Sequence, residues 1–477
     1  MKATPLIVDL DGTLIHTDML HESALQAVGN NPLIACMFPI WLSHGKAFLK
    51  KRLADKTSII PESLPYNTVF LDWLRKERES GRVLVLCTAS DHAIASAISE
   101  HLGIFDDVIA SDGSLNLAGE NKAKALEERY GKGGFDYAGN GVADLAVWRL
   151  TRKAIVVNAS QRLQKAVGGC CEVERVFPPS VREFSSVWRH VFRIQQWLKN
   201  LLIFIPLFAS HQLMHFTYWQ SLSLAFIAFC LCASAVYIAN DLLDLQSDRL
   251  HPRKRNRPFA SGAVPLWLGV ILSPLLLLAS LLLAEWVGGT FLPWLASYFI
   301  LTCLYSWRIK RVVLVDCIVL AMLYTLRLVA GAAATNITLS FWMLAFSAFL
   351  FFSLALVKRF VELEVQLQSG NEKAHGRGYY TADARLVQML GIASGYASIL
   401  IFALYLNSKE ILCLYRKPEF VWGAIPILLF WISWMWLQAS RGNMPDDPIV
   451  FAVKDKASLM AGAVFVLVII VGTVGFS

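Results

Sequence analysis

Asp9 and Asp11 stand two apart at the end of the apolar run Leu6-Ile7-Val8 and are followed by Gly12-Thr13-Leu14. Side chains two apart on an extended segment point the same way, so both carboxylates can face one phosphate and its Mg²⁺. A bare Asp-Gly pair after a strand would read as a turn, but other polar residues fall at comparable places. The apolar run 83–87 ends in Thr88-Ala89-Ser90, which sets a hydroxyl at a strand's carboxyl end, the edge where open α/β sheets bind ligands. Lys122 opens a helical segment reaching Tyr130, and residues 137–144 supply a further strand-edge loop containing Asn140 and Asp144.

A second group of carboxylates lies far along the chain, in Asn240-Asp241-Leu242-Leu243-Asp244-Leu245-Gln246-Ser247-Asp248. The spacing i, i+3, i+7 predicts that Asp241, Asp244 and Asp248 share one helix face. Three stacked carboxylates repel one another unless cations sit between them. Mg²⁺ suits such a place because it binds a few carboxylates and keeps sites for substrate phosphates. Arg253, Lys254, Arg255 and Arg257 follow at once and supply charge for phosphate oxygens. A basic run alone often does no more than fix membrane topology, but acidic residues at a membrane helix's edge are functional by default.

The elements that must position these residues are of two kinds. The 477 residues are 56% hydrophobic and 17% charged, with 15 Trp, which excludes a purely soluble enzyme. Residues 1–190 carry 22 Lys+Arg and 22 Asp+Glu, and residues 191–477 carry 22 and 14, so the formal +8 belongs to the second part. In the first part the strand-like runs 6–8, 83–87 and 154–158 alternate with helical stretches, as in a parallel sheet. Between the first two, the apolar run 31–42 is too short to span a bilayer and suits a small helical cap, packed over the site or lying on the membrane surface. A polar connection over 172–189 follows. The second part holds nine apolar segments, at 195–211, 219–238, 264–285, 290–306, 312–332, 340–357, 386–406, 419–438 and 457–476. Loops 239–263, 307–311, 358–385 and 439–456 hold 16 Lys+Arg against 3 in the intervening loops, which sets the former in the cytoplasm of an inner-membrane protein, with the C-terminus outside. The few apolar residues before Asp9 are too short for a signal-peptide core, so the first part is expected to stay cytoplasmic. Nine cysteines, among them Cys413, form no CxxC pair or zinc-type spacing and read as reduced thiols.

Strand-end DxDGT, a strand-end Thr, a Lys and a GNxxxD loop, in that order, resemble the haloacid dehalogenase (HAD) phosphatase superfamily. The resemblance implies that Asp9 attacks phosphorus and forms an aspartyl-phosphate, that Asp11 is general acid and then base, and that Thr88 and Lys122 hold phosphoryl oxygens. It implies Mg²⁺ on Asp9, the Asp11 backbone carbonyl and Asp144. Asn140 stands where the family usually has Asp, keeping an oxygen ligand and losing a charge.

NDxxDxxxD followed by a basic stretch ending in Arg-Pro resembles the UbiA-type intramembrane prenyltransferase superfamily, in which the triplet Asp241, Asp244 and Asp248, with Asn240, would be the catalytic metal-binding motif. The family's second DxxxD is replaced here by Lys358-Arg359-Phe360-Val361-Glu362-Leu363-Glu364, then Gly376-Arg377-Gly378-Tyr379-Tyr380 and Asp383. With Lys199, Tyr305, Lys310, Asp316 and Arg327 in the same bundle, the chain looks like the branch of polyprenyl-phosphate (decaprenyl-phosphate) phosphoribosyltransferases. There Arg253, Lys254, Arg257, Tyr305, Lys310, Lys358 and Arg359 would grip phosphates. A lipid monophosphate acceptor and a sugar phosphate together require a site richer in cations than prenyl transfer does.

The expected architecture is an α/β Rossmann-like HAD domain with a helical cap over residues 1–185, and an all-α polytopic membrane bundle of about nine helices over 190–477. The expected activity is Mg²⁺-dependent transfer of 5-phosphoribose from phosphoribosyl diphosphate to a polyprenyl phosphate, with the phosphatase acting on the product. Two alternatives stand beside it: prenyl transfer from a polyprenyl diphosphate to an aromatic or other acceptor, and a non-catalytic transporter or scaffold. The pI of 9.0 points to anionic lipid and sugar phosphates rather than nucleic acid.

Overall fold

The computed structural model describes residues 4–179, 184–370, 377–408, 415–445 and 447–474. Gly376 and Cys413 lie outside the described residues. Two compact units form: Met1–Phe192 together with Ile238–Ser273, and Arg193–Tyr237 together with Pro274–Ser477. The acidic segment 240–248 therefore packs with the N-terminal unit, although in sequence it lies beyond residue 190.

The first unit is built on a six-stranded, all-parallel sheet in the order β3-β2-β1-β4-β5-β6. Its strands are β1 (Leu6–Val8), β2 (Leu84–Asp91), β3 (Asp107–Ser111), β4 (Asp136–Gly139), β5 (Lys153–Val157) and β6 (Glu172–Phe177). The central strands are apolar throughout because helices cover both faces: Leu6, Val8, Leu84 and Leu86 enter one core, and Ile7, Val85, Tyr137 and Val156 the other. β1 and β4 are neighbours, so Asp9 and the 139–144 loop leave the sheet at the same edge. The stretch 172–189, expected as a polar connection, begins with edge strand β6. Four of its six residues, Glu172, Glu174, Arg175 and Val176, are exposed, which reads as polar in sequence.

Between β1 and β2 the chain forms a cap of helices Met19–Asn30, Pro32–Met37 (3₁₀), Phe38–Ser43 and Lys46–Ala54. Asp18 caps the first by accepting from the N–H groups of Leu20 and His21. Ala27, Trp41, Leu49 and Leu53 make the cap's own small core.

In the second unit, helices follow the apolar segments. Across the described residues, seven are long and apolar enough to cross a membrane: Phe216–Leu243, Leu266–Val287, Val315–Thr335, Phe341–Gln368, Thr381–Leu406, Pro418–Ser440 and Lys456–Val474. The other two of the nine expected segments are helical but shorter, Ile194–Ala209 and Phe291–Trp307. The first is interrupted by a 3₁₀ stretch, Leu198–Phe204, which meets the helix Val315–Thr335 at Gly331. A Cβ on Gly331 would lie 2.0 Å from the Ile203 carbonyl oxygen, so only glycine allows this approach.

Candidate active sites

β1 ends at Val8, and the next residue, Asp9, is held by its N–H to the Ala138 carbonyl of β4. Its side chain is almost wholly buried. Lys122 Nζ, from the helix Glu120–Tyr130, donates to Asp9 Oδ1 at 2.6 Å, and Thr13 Oγ1 donates to Oδ2 at 3.3 Å. Lys122 Nζ also lies 3.0 Å from Tyr137 Oη and 3.9 Å from Asp144 Oδ1. Tyr137 donates its hydroxyl to Asp144 Oδ1 at 2.7 Å, while Asp144 Oδ2 accepts from the N–H groups of Asn140 and Gly141. Asn140 lies against Gly12, whose φ is +73°; a Cβ there would come within 2.0 Å of Asn140 Nδ2.

Asp11 turns the other way. Its Oδ1 accepts the Met19 N–H at 2.8 Å and its Oδ2 the Ser90 hydroxyl at 2.9 Å. Burial pushes its carboxyl up to about 7, and the nearby Asp18 and Asp9 add to the rise. Burial likewise lifts Asp9, to about 6, against the pull of Lys122. Burial would lower Lys122, but Asp9 and Asp144 more than offset it and hold the ammonium charged. The arrangement sets a carboxylate held by a lysine beside a second carboxyl pushed up to about 7, a value at which a group can both give and take a proton.

Thr88 is fully buried and its Oγ1 accepts the Ser90 N–H at 3.0 Å, so the hydroxyl that reaches the carboxylates is Ser90's. Ser90, Thr13 and Tyr137 join the site beyond the residues singled out from sequence. A strand-end Thr-Ala-Ser holds the signal for Ser90, whereas nothing in the sequence marks Tyr137. Lys50 of the cap donates to the Ala89 carbonyl at 2.7 Å and to Asn116 Oδ1 at 3.2 Å, reaching over the end of β2.

The acidic segment departs from one continuous face. The helix Phe216–Leu243 stops at Asp244, whose backbone (φ −89°, ψ 13°) starts the short helix Leu245–Leu250. Asp241 and Asp248, both buried, converge on Arg257: its Nη1 donates to Asp241 Oδ1 at 3.1 Å and also to Asp248 Oδ2. Lys254 Nζ stands 4.0 Å from Asp248. Burial raises the Asp248 carboxyl, with Arg257 opposing. Asp244 is only half-buried, and among the described residues no three His, Cys, Asp or Glu side chains are drawn together as a metal cage. The expected triplet is thus a pair bridged by an arginine, with the third carboxylate set at a helix break.

Within the second unit two charged groups form. Lys199 pairs with Asp447 and faces the Tyr324 ring at 5.8 Å. Next to Lys199, Asn200 Oδ1 accepts from Arg327 Nε at 2.9 Å; Arg327 also bonds the Tyr298 hydroxyl at 3.0 Å and the Leu323 carbonyl. Among the described residues, Arg327 meets only neutral partners. The other group centres on Arg359, which is fully buried between Asp316 and Glu362. Tyr379 donates to Asp316 Oδ1 at 2.6 Å, and Arg377 bridges Glu362 at 3.2 Å and the Tyr305 hydroxyl at 3.2 Å. Arg359, expected to grip phosphate, is instead the buried hub of this network, its Nη1 and Nη2 paired with Glu362 and Asp316. Arg377, one-fifth exposed, is its outward cation. Lys310 and Lys358 are half-buried.

Residues 202–460 match the UbiA prenyltransferase family and residues 6–149 the haloacid dehalogenase-like hydrolases. The chain is 37% identical over 464 residues to the uncharacterised protein y4nM of Sinorhizobium fredii, spanning 97% of this chain and 90% of that one. It is 36% identical over 272 residues to nodulation protein NoeC of Azorhizobium caulinodans, spanning 56% and 87%. It is 30% identical over 272 residues to the decaprenyl-phosphate phosphoribosyltransferase of Mycolicibacterium smegmatis, spanning 55% and 85%.

Proposed function

The chain belongs to the UbiA prenyltransferase family, with a HAD-like hydrolase domain fused before it, and from that membership we propose that it transfers 5-phosphoribose from phosphoribosyl diphosphate to a polyprenyl phosphate and then removes the 5-phosphate. One observation carries the transferase reading. Arg327 is a buried cation whose described partners are all neutral, in a helix long and apolar enough to span the bilayer. A cation costs several kcal/mol to bury unless an anion joins it. A lipid monophosphate is an anion of the kind that would complete it. The relative named a decaprenyl-phosphate phosphoribosyltransferase supports the same substrate pair.

Both carboxylate sets suit Mg²⁺ by their chemistry. They offer oxygen donors alone: Asp9, Asp11 and Asp144 beside Lys122, and Asp241, Asp244 and Asp248 beside Arg257 and Lys254. Asp9, Asp144, Asn140 and the Asp11 carbonyl would hold it in one domain, and Asp241, Asp244 and Asp248 in the other. When bound, the ion adds positive charge at phosphate oxygens.

In the transfer step an oxygen of the lipid phosphate attacks the anomeric carbon of the donor, and the bond from that carbon to diphosphate breaks. Arg327 is the cation that meets the acceptor phosphate. In the hydrolytic step an Asp9 oxygen attacks the 5-phosphorus and Asp11 gives its proton to the leaving ribose oxygen. Asp11 then takes a proton from the water that cleaves the aspartyl-phosphate. Lys122 and Ser90 hold the groups on which this depends. The basic loops support a cytoplasmic-face site for both reactions in an inner-membrane protein.

The test is product mass. Purified protein with polyprenyl phosphate, labelled phosphoribosyl diphosphate and Mg²⁺ is expected to yield lipid-linked pentose phosphate, and then lipid-linked pentose. Asp9→Asn should stop at the phosphorylated product. A product heavier by a prenyl group would establish prenyl transfer instead.

A further inference from the structure

Between Glu22 and Asp55 the chain has no acidic residue, yet it carries Lys46, Lys50, Lys51 and Arg52. The same stretch holds the apolar run of the cap. Its helices Pro32–Met37 and Phe38–Ser43 divide their side chains: Trp41 is buried, and Ile34 and Phe38 pack beside it against Ala27, Leu49 and Leu53. Leu33, Met37 and Ile40, at i, i+4 and i+7, face outward together with Leu42, and these are 75%, 40%, 52% and 50% exposed. Four large apolar side chains on one short face are a patch that water disfavours. The following helix, Lys46–Ala54, exposes Lys46 and Arg52, and Arg52 lies over the Phe48 ring at 5.0 Å.

We propose that this cap face lies in the interface of an anionic lipid bilayer, with Leu33, Met37, Ile40 and Leu42 in the acyl boundary and Lys46 and Arg52 against the headgroups. Twelve residues are too few to span the bilayer, so the element lies in its plane. An acid-free, basic margin beside an apolar face selects a negatively charged lipid surface over a protein of mixed charge. Lys50 and Leu53 of the adjoining helix also line a pocket with Met19, Leu20, Ser90 and Ile94. Ser90 is the residue hydrogen-bonded to Asp11. A membrane-seated cap would thus border the phosphatase pocket, which suits a phosphate carried on a lipid.

Cys36 sits in the run and is exposed, so it reports directly. The full chain, with Cys170, Cys171, Cys303 and Cys413 changed to Ser, is spin-labelled at Cys36 in nanodiscs of phosphatidylcholine with one quarter phosphatidylglycerol. Collisional accessibility to oxygen and to a neutral nickel chelate is then measured. The oxygen-to-nickel ratio is expected at least fivefold above that of the same chain labelled at exposed Cys170 instead. It should fall at least twofold without phosphatidylglycerol, and to the Cys170 value in Leu33→Ser/Ile40→Ser/Leu42→Ser. A ratio equal to that at Cys170, or one indifferent to phosphatidylglycerol, overturns the proposal. So does a label shielded from both reagents, which would put a protein such as a second copy of this chain on the face.

Discussion

Glu22 and Arg249, 227 residues apart, meet as a buried bidentate pair: Arg249 Nη1 donates to Oε2 at 3.1 Å and Nη2 to Oε1 at 2.6 Å. Thr17 donates to the same Oε1 at 2.6 Å, and Arg249 Nε bonds the Ala260 carbonyl at 2.9 Å. Glu22 begins in the cap that follows Asp11, and Arg249 is the neighbour of Asp248, so one ion pair ties the phosphatase loop to the acidic segment of the transferase. At Gly262, φ +72°, a Cβ would lie 2.5 Å from His16, a second close approach between the same two stretches.

Removing one partner leaves a buried charge alone. Arg249→Ala or Glu22→Ala is expected to cost about 3–5 kcal/mol, whereas Glu22→Met with Arg249→Met should recover most of it. Thermal unfolding of the detergent-solubilised chain measures this. If either single change cost no more than the double one, the pair would not be the tie it is taken for.

Arg359 makes a parallel case in the membrane unit. It sits between Asp316 and Glu362 with no exposure to solvent, so its substitution should act through folding. Arg359→Ala is expected to lower stability by about 3–5 kcal/mol and to reduce the amount of folded protein. Arg377→Ala, at the exposed margin of the network, should leave stability within about 1 kcal/mol. Comparing melting temperatures with kinetics of the surviving fraction separates the two, since a phosphate-gripping Arg359 would instead raise KM in a protein of normal stability.

These two networks mark where the sequence was legible and where it was not. Local signals carried Asp9, Asp11 and Asp144, each just past a strand, and Lys122, in the first turn of a helix, and the adjacency of β1 and β4 brings the strand-end carboxylates together. Asp241, Asp244 and Asp248 were legible as residues but not as geometry. Helical spacing places three carboxylates on one face, yet repulsion and the pull of Arg257 are relieved by ending the helix at Asp244. Lys358-Arg359 reads as an ordinary basic pair in sequence. Only the packing of the helices Val315–Thr335 and Phe341–Gln368 shows that Arg359 points inward to Asp316. Tyr137, buried between Lys122 and Asp144, was invisible for the reason any core tyrosine is: its polar role depends on partners distant in sequence.

Asp11 predicts a pH dependence of stability. Its folded carboxyl titrates near 7 rather than at the ordinary 3.8, so the folded state keeps a proton that the unfolded chain has already lost. The contribution is fully present below about pH 4 and is lost as pH rises through 7. Asp11→Asn should therefore stabilise the metal-free protein at pH 8, by an amount on the order of 2 kcal/mol, with the gain shrinking toward pH 5. Thermal melts in chelator across that range give the answer. A gain that grew as pH fell would reverse the assignment.

Arg327 offers the test of the proposed acceptor. Its guanidinium is held by Asn200, Tyr298 and the Leu323 carbonyl, and it stacks within 4.8 Å of the Tyr298 ring and 5.6 Å of the Tyr324 ring. These contacts fix its plane without neutralising it, which suits a group kept ready for an anion. Losing one charge-assisted contact to phosphate is worth roughly 1.5–3 kcal/mol, or about 10- to 100-fold in affinity. Arg327→Gln should therefore raise KM for polyprenyl phosphate by about that factor, leaving KM for phosphoribosyl diphosphate within about twofold. Arg327→Lys, which keeps charge but loses the fork, should fall between. If both variants instead raised the KM of the two substrates equally, or lowered kcat alone, Arg327 would serve the helix packing around Tyr298 rather than the lipid phosphate.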